Sequence, residues 1–365
     1  MTPTDISILR IQNQLVEGSE FKTPEELVGW MGAMQAQDFA MAKWAVGVRV
    51  PGSTEESVEK AYNQGKILRT HLMRPTWHLV SADDISWMLE LTAPQIKRIL
   101  KTNDKRFEFN ETVYSTSNKL LEKVLSNEQC MTREELVREF DNIHIRTDEN
   151  RLSHIMMGAE LDGVVCSGPL RGNKLTYTLL EDRVPTKKSL SREEALATLA
   201  TRYFKSHGPA TVRDFVWWSG LTVTDARRAL EMIKSGFISE TIDSETYWMT
   251  PGSAHRRMYS QQLRLLPAFD AILIGYANRS AALATVHNKK AISDNGIFRP
   301  IIIENGQVKG LWKRNTIKDR VLIEATVFQP INEETKSAIE AEALRFGEFL
   351  NKRVEINLQH ELFCK

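Results

Sequence analysis

Gly65-Lys66-Ile67-Leu68-Arg69-Thr70-His71-Leu72-Met73-Arg74-Pro75-Thr76-Trp77-His78-Leu79 is a glycine turn that runs into a hairpin ending in an aromatic. The pattern recurs as Gly163-Val164-Val165 leading to Thr176-Tyr177-Thr178-Leu179, and as Gly236-Phe237-Ile238 leading to Thr246-Tyr247-Trp248-Met249. Each copy follows amphipathic helical sequence. Helices closed by a two-stranded hairpin predict a winged helix, a unit that reads nucleic acid. Three copies predict a chain that grips duplex DNA.

The flanking sequence supplies the helices. Thr23-Pro24-Glu25-Glu26 is an N-cap, a first-turn proline and two acids that suit the helix dipole. Residues 4–31 read as helices, followed by helices at Ala42 to Val48 and Glu55 to Gln64, a wing at 66–80, and a helix from Ala82 to Leu100. The second unit opens on the capping box Thr132 to Glu135, with a recognition helix at about 149–162 and a wing turn at 168–174. Residues 181–191 read as a linker. The third unit opens on the capping box Ser191 to Glu194; Thr211 caps Val212 to Trp218, and Thr222 or Thr224 caps Asp225 to Lys234.

Beyond residue 265 the pattern changes. Ile272-Leu273-Ile274, Ile301-Ile302-Ile303 and Val321 to Ala325 are β-prone runs, and Glu304-Asn305-Gly306-Gln307 is a hairpin turn. A helix from about 333 to 350 and a last strand at 353–358 follow. The expected fold is α+β: tandem winged-helix (helix-turn-helix plus β-hairpin) units with a C-terminal β-rich domain. The segments are 1–125, 126–185, 186–262 and 263–365.

Composition narrows the function. The formal net charge is +1, so any DNA footprint is local. Three cysteines, Cys130, Cys166 and Cys364, have no CxxC spacing, which fits a reducing, cytoplasmic setting and no zinc frame. The N-terminal residues lack a signal-peptide pattern, and no apolar run reaches membrane-spanning length. P-loop, GxGxxG and GxSxG motifs are absent, so no nucleotide cofactor is expected.

Two stretches can carry chemistry. Met34-Gln35-Ala36-Gln37-Asp38 places two amides among Trp30, Met31 and Phe39; the bland alternative is helix-end capping in an exposed loop. The hairpin offers Arg69, His71, Arg74 and His78 around Trp77, a set suited to phosphate contact and base stacking, or to a solvated wing with an inward Trp. Neither histidine has a HExxH or cysteine partner, which argues against a metal. Arg171 and Lys174 in the second wing, Arg256 and Arg257, and Lys313 and Arg314 complete the expected DNA-binding set; each alone also fits a solvated face. Asp270 reads as a turn residue at the start of a strand or as a functional acid.

In order along nearly the whole chain, these motifs resemble the AlkZ/YcaQ family of winged-helix DNA glycosylases. The resemblance rests on Met34 to Asp38, Arg69 to His78, His207-Gly208-Pro209-Ala210-Thr211 with Asp214 and Trp217-Trp218-Ser219-Gly220, Leu265 to Asp270 with Gly275-Tyr276, and Phe298-Arg299-Pro300 with Gly310 to Arg314. One departure is Ala277-Asn278-Arg279, where the family pattern places an acid between the tyrosine and the arginine. The resemblance implies a concave DNA-binding surface and excision of alkylated purines, including bulky and crosslinked ones, from double-stranded DNA. It implies that Gln35 and Gln37 are the catalytic pair and that the enzyme is monofunctional, with no cofactor; a monomer is the favoured state. The competing readings are a non-catalytic winged-helix regulator and a protein–protein scaffold.

Overall fold

The computed structural model describes residues 1–252 and 263–360. The first unit runs α1 (Pro3–Asn13), α2 (Pro24–Met31), β1 (Met34–Gln35), α3 (Phe39–Gly47), α4 (Glu55–Asn63), β2 (Ile67–Leu72) and β3 (Arg74–Ser81). Capping boxes start α1 at Thr2, α2 at Thr23 and α4 at Thr54, so each helix begins where a hydroxyl can accept an orphan N–H. The short β1 pairs with β3, giving the sheet order β1-β3-β2. Helices followed by a hairpin are the arrangement the glycine-turn repeat predicted; the earlier short strand that joins the hairpin was not expected.

The long α5 (Ala82–Phe107) and α6 (Glu111–Val124) lead to β4 (Met131–Thr132), α7 (Arg133–Asn142), α8 (Arg151–Leu161), β5 (Val165–Ser167) and β6 (Thr176–Leu179). The sheet order β4-β6-β5 repeats the first unit. The α5 helix passes through Pro94 and runs past the expected end at Leu100, because Phe107 anchors its far end in the second unit's core after a polar stretch. Leu121 and Leu125 lie in that same core, so α6 packs with the second unit although the 1–125 segment assigned it to the first.

After the single-turn α9 (Leu180–Arg183) come α10 (Arg192–Ser206), α11 (Val212–Ser219), α12 (Val223–Ile233), β7 (Ile238–Ile242) and β8 (Glu245–Met249). Here a bridge between Ala210 and Trp248 stands where the other units have their short strand. The C-terminal part contains β9 (Leu263–Leu266), α13 (Ala271–Ile274), α14 (Asn288–Ala291), β10 (Ile301–Glu304), β11 (Gln307–Ile317), β12 (Arg320–Val327), α15 (Glu333–Leu350) and β13 (Arg353–His360). Its sheet has the order β13-β12-β11-β10-β9, antiparallel except for the β12–β13 pair. Asn305 and Gly306 both adopt positive φ, as the expected hairpin turn requires.

One expectation fails. Residues 272–274 form a buried helical turn, not a strand, because the Asp270 carboxylate accepts the Ile272 N–H and caps it. Asp270 is also the partner of Arg49: two 2.9 Å bonds join the buried guanidinium to its carboxylate. Both contacts hold the fold at this turn.

The cores cross the sequence segments. Trp44 of α3 packs against Phe346 and Phe349 of α15, and its indole donates to the Leu265 carbonyl at 2.7 Å. The first unit and the C-terminal sheet therefore share one core. A second core joins Leu68, Leu72 and Val80 of the first hairpin to α5 and to Tyr203, Phe204, Phe215 and Trp218 of the third unit. The first hairpin is thus gripped between elements far apart in sequence.

Candidate active site

The glutamine motif forms because α2 stops at Gly32 and the chain turns to pair with β3. Met34 pairs with Leu79 and Gln35 with His78. Strand alternation sends Met34 into the core and leaves Gln35 half-buried on the other face. Ala36 donates its N–H to the Trp77 carbonyl at 2.7 Å, and its own carbonyl accepts from Arg69 Nε at 2.9 Å. Gln37 is exposed, and Asp38 caps α3 by accepting the Met41 N–H. Of the bland reading, helix capping belongs to Asp38 and exposure to Gln37; Gln35 sits in a strand.

The hairpin residues divide into supports and one reaching group. Arg69 is only 9% exposed, and its guanidinium lies 4.2 Å from the centre of the Trp77 ring. His71 is buried against the other wall: its Nδ1 bonds to Glu160 Oε2 of α8, which also accepts the His71 N–H at 2.8 Å. His78 is buried, with Nδ1 donating to the Thr76 carbonyl at 2.9 Å. Burial, reinforced by the charge of Arg74, pushes the His78 pKa down to about 3, so its ring is neutral. Arg69, His71 and His78, expected to contact DNA, are buried side chains whose internal partners hold the hairpin.

Arg74 is the exception. Its Nη2 donates to Gln35 Oε1 at 2.8 Å, and its guanidinium lies 5.4 Å from the centre of the Trp217 ring. Burial, and next the like charge of Arg279, lowers its pKa to about 10, so it stays charged at neutral pH.

Three groups at this site were not among the expected site residues, although Trp217 and Arg279 stand in stretches that bear on the family resemblance. Trp217 of α11 is 40% exposed and donates Nε1–H to the Ile274 carbonyl at 2.9 Å. Arg279 stacks between Trp217 and Phe298, 5.0 Å from each ring centre. Glu160 anchors His71. A signal for Trp217 existed: Phe215 and Trp218 share the buried face of α11, so the intervening Trp217 points elsewhere. At the 277–279 turn, which lacks the expected acid, Asp214 of α11 reaches across and accepts the N–H groups of Ala277 at 2.9 Å and Asn278 at 3.3 Å. Gly220, at φ 69°, ends α11; a Cβ there would collide with the Met73 carbonyl oxygen, so glycine lets the first hairpin seat against the third unit.

The remaining basic groups lie elsewhere. Arg171 pairs with Glu135 at 2.6 Å, Lys174 with Glu134 at 3.7 Å and Lys313 with Glu324. Arg314 lies 6.0 Å from the Phe346 ring centre. Arg256 and Arg257 fall outside the described residues. Among the described residues no group of three or more His, Cys, Asp or Glu side chains could hold a metal ion, and no helix is long and apolar enough to cross a membrane.

The profile of the family described as DNA glycosylase AlkZ-like matches residues 28–349. An interstrand DNA cross-link repair glycosylase of Streptomyces sahachiroi is 25% identical over 350 residues, covering 92% of each chain. The solved structure of Streptomyces sahachiroi DNA glycosylase AlkZ superposes with a TM-score of 0.81 at 21% identity, over 98% of this chain and 100% of that one. At that identity the superposition speaks to the fold.

Proposed function

This chain belongs to the AlkZ-like DNA glycosylase family, and we propose that it hydrolyses the N-glycosidic bond of N7-alkylated purines in duplex DNA, including bulky or crosslinked ones, by a monofunctional mechanism. The crosslink part of the substrate class takes support from the Streptomyces relative, an interstrand DNA cross-link repair glycosylase. The observation that carries the mechanism is the clamped Gln35-Ala36-Gln37 segment with Arg74 on the Gln35 carbonyl.

An N7-alkylated purine is cationic and leaves readily, so little acid catalysis is needed. The demands are a placed water and stabilisation of an oxocarbenium-like sugar. Glutamine does not ionise and cannot act as a strong base. Its carbonyl oxygen has two lone pairs. Arg74 takes one at Gln35 and fixes the amide; the other is left to hold water. Gln37, two residues on and exposed, supplies a second carbonyl. Catalysis here is positioning and electrostatics. Among the described residues no lysine or N-terminal amine hydrogen-bonds either glutamine, which favours hydrolysis without a covalent amine intermediate.

Arg74 brings a complication. A cationic sugar about 5 Å from a guanidinium is disfavoured by about 3 kcal/mol at an effective dielectric of about 20. An anion of the DNA strand beside Arg74 offsets this.

The test is to incubate the purified chain with duplexes carrying 7-methylguanine or an alkyl crosslink and assay alkali-labile abasic sites. Accumulation of such sites is expected. Binding to both duplexes with no abasic sites would instead identify a non-catalytic DNA-binding protein.

A further inference from the structure

We propose that Arg74, Trp217 and Arg279 form a phosphodiester clamp that seats the backbone of the bound strand beside Gln35, with Lys289 at its outer rim. The inference rests on the glycosylase reading for the identity of the strand.

Two guanidiniums from distant parts of the chain lie over the same indole, Arg74 at 5.4 Å and Arg279 at 5.0 Å from the ring centre. Like charges gathered in a partly desolvated place need a counter-charge. Among the described residues neither has a carboxylate within ion-pair distance. The acid whose charge Arg279 senses is Asp214, which is already committed to Arg10 at 3.5 Å and to the backbone N–H groups of Thr211, Ala277 and Asn278. Arg74 Nε is buried with no hydrogen-bond partner. Arg279 spends Nε and Nη1 on carbonyls that fix its plane.

Beyond Arg279 a cavity of about 340 Å³ opens, lined by Asn278, Ser280, Asn288 and Lys289 and by no acidic side chain. Lys289 is exposed at its edge. Cationic and neutral donors around a hollow, without a carboxylate, suit a tetrahedral oxyanion. A phosphate there also supplies the negative charge that a cationic sugar beside Arg74 requires. Trp217 offers one ring against which both guanidiniums lie.

The test uses the full chain and a duplex containing a tetrahydrofuran abasic analogue, titrated across salt concentration. Arg279→Ala and Lys289→Ala are each expected to lower the slope of log K against log salt by about one unit and to weaken binding about tenfold. Arg279→Lys restores the slope. Replacing one phosphate next to the analogue with a neutral methylphosphonate is expected to weaken the wild type about tenfold and Arg279→Ala not at all further. Lys289 is exposed, so its variant tests the clamp even if Arg279→Ala misfolds. Wild-type slopes in both variants, or a methylphosphonate effect equal in wild type and Arg279→Ala, overturn the clamp. If the wild type releases 7-methylguanine while the slopes stay unchanged, the clamp alone fails. If the slopes fall as expected but the wild type releases no base, the glycosylase reading alone fails.

Discussion

Arg74 Nη2 and Gln35 Oε1 are joined by a 2.8 Å hydrogen bond that links the turn of the first hairpin to the short strand of the glutamine motif. A charged donor on a half-buried amide contributes about 1.5–3 kcal/mol. Arg74→Met is therefore expected to slow single-turnover excision of 7-methylguanine about ten- to a hundredfold. Arg74→Lys keeps the charge but not the fork, so it should recover only part of the rate. Wild-type excision by Arg74→Met would show that the bond does not position Gln35.

The wing is held from the opposite side by Glu160, which bonds both the ring and the N–H of His71. Removing one member of a buried pair costs about 3–5 kcal/mol. Glu160→Ala should lower the melting temperature markedly, and Glu160→Gln should do so less because an acceptor for the His71 N–H remains. Equal melting temperatures for wild type and Glu160→Ala would contradict this anchoring.

Gly220 sets the approach of the third unit to the hairpin turn. Alanine there must adopt φ 69° and push against the Met73 carbonyl. The left-handed conformation alone costs about 1–2 kcal/mol. Gly220→Ala is expected to lower both stability and excision, read by thermal melting and by product release; a variant with wild-type values of both would show that the contact is unimportant.

The pH dependence separates chemistry from stability. Gln35 and Gln37 do not ionise, and Arg74 loses its proton only towards pH 10. Excision should be flat from about pH 6 to 9 and fall as the pH rises through about 10. Stability behaves differently. Burial holds His78 and His207 neutral, with pKa values pushed down to about 3 from the ordinary 6.5. Their folded values lie below the unfolded ones, so the unfolded chain binds more protons between the two. Stability is thus unaffected above about pH 6.5 and falls as pH drops towards 3, by up to about 1.4 kcal/mol per pH unit per histidine. Denaturant titrations of His207→Gln should show a shallower loss over that window; an unchanged slope would contradict a neutral buried His207.

Much of this was legible in the sequence. Threonine and serine caps fixed most helix starts, because capping is local chemistry. The glycine-turn repeat located all three hairpins. The residues 272–274 misled because a run of three apolar β-prone residues does not reveal that Asp270 caps a helical turn. The site was half legible. Gln35, Gln37 and Arg74 stand in motifs of a single unit. Trp217, Arg279 and Glu160 reach it only through packing of the third unit, the C-terminal part and the second unit against the first hairpin, a relationship without a local pattern.

The glutamine pair is the centre of the proposed mechanism. The direct test is single-turnover release of 7-methylguanine by Gln35→Ala and Gln37→Ala, measured beside their affinity for the same duplex. Loss of base release is expected in both variants, with duplex binding close to wild type. Excision at the wild-type rate by both variants would contradict it.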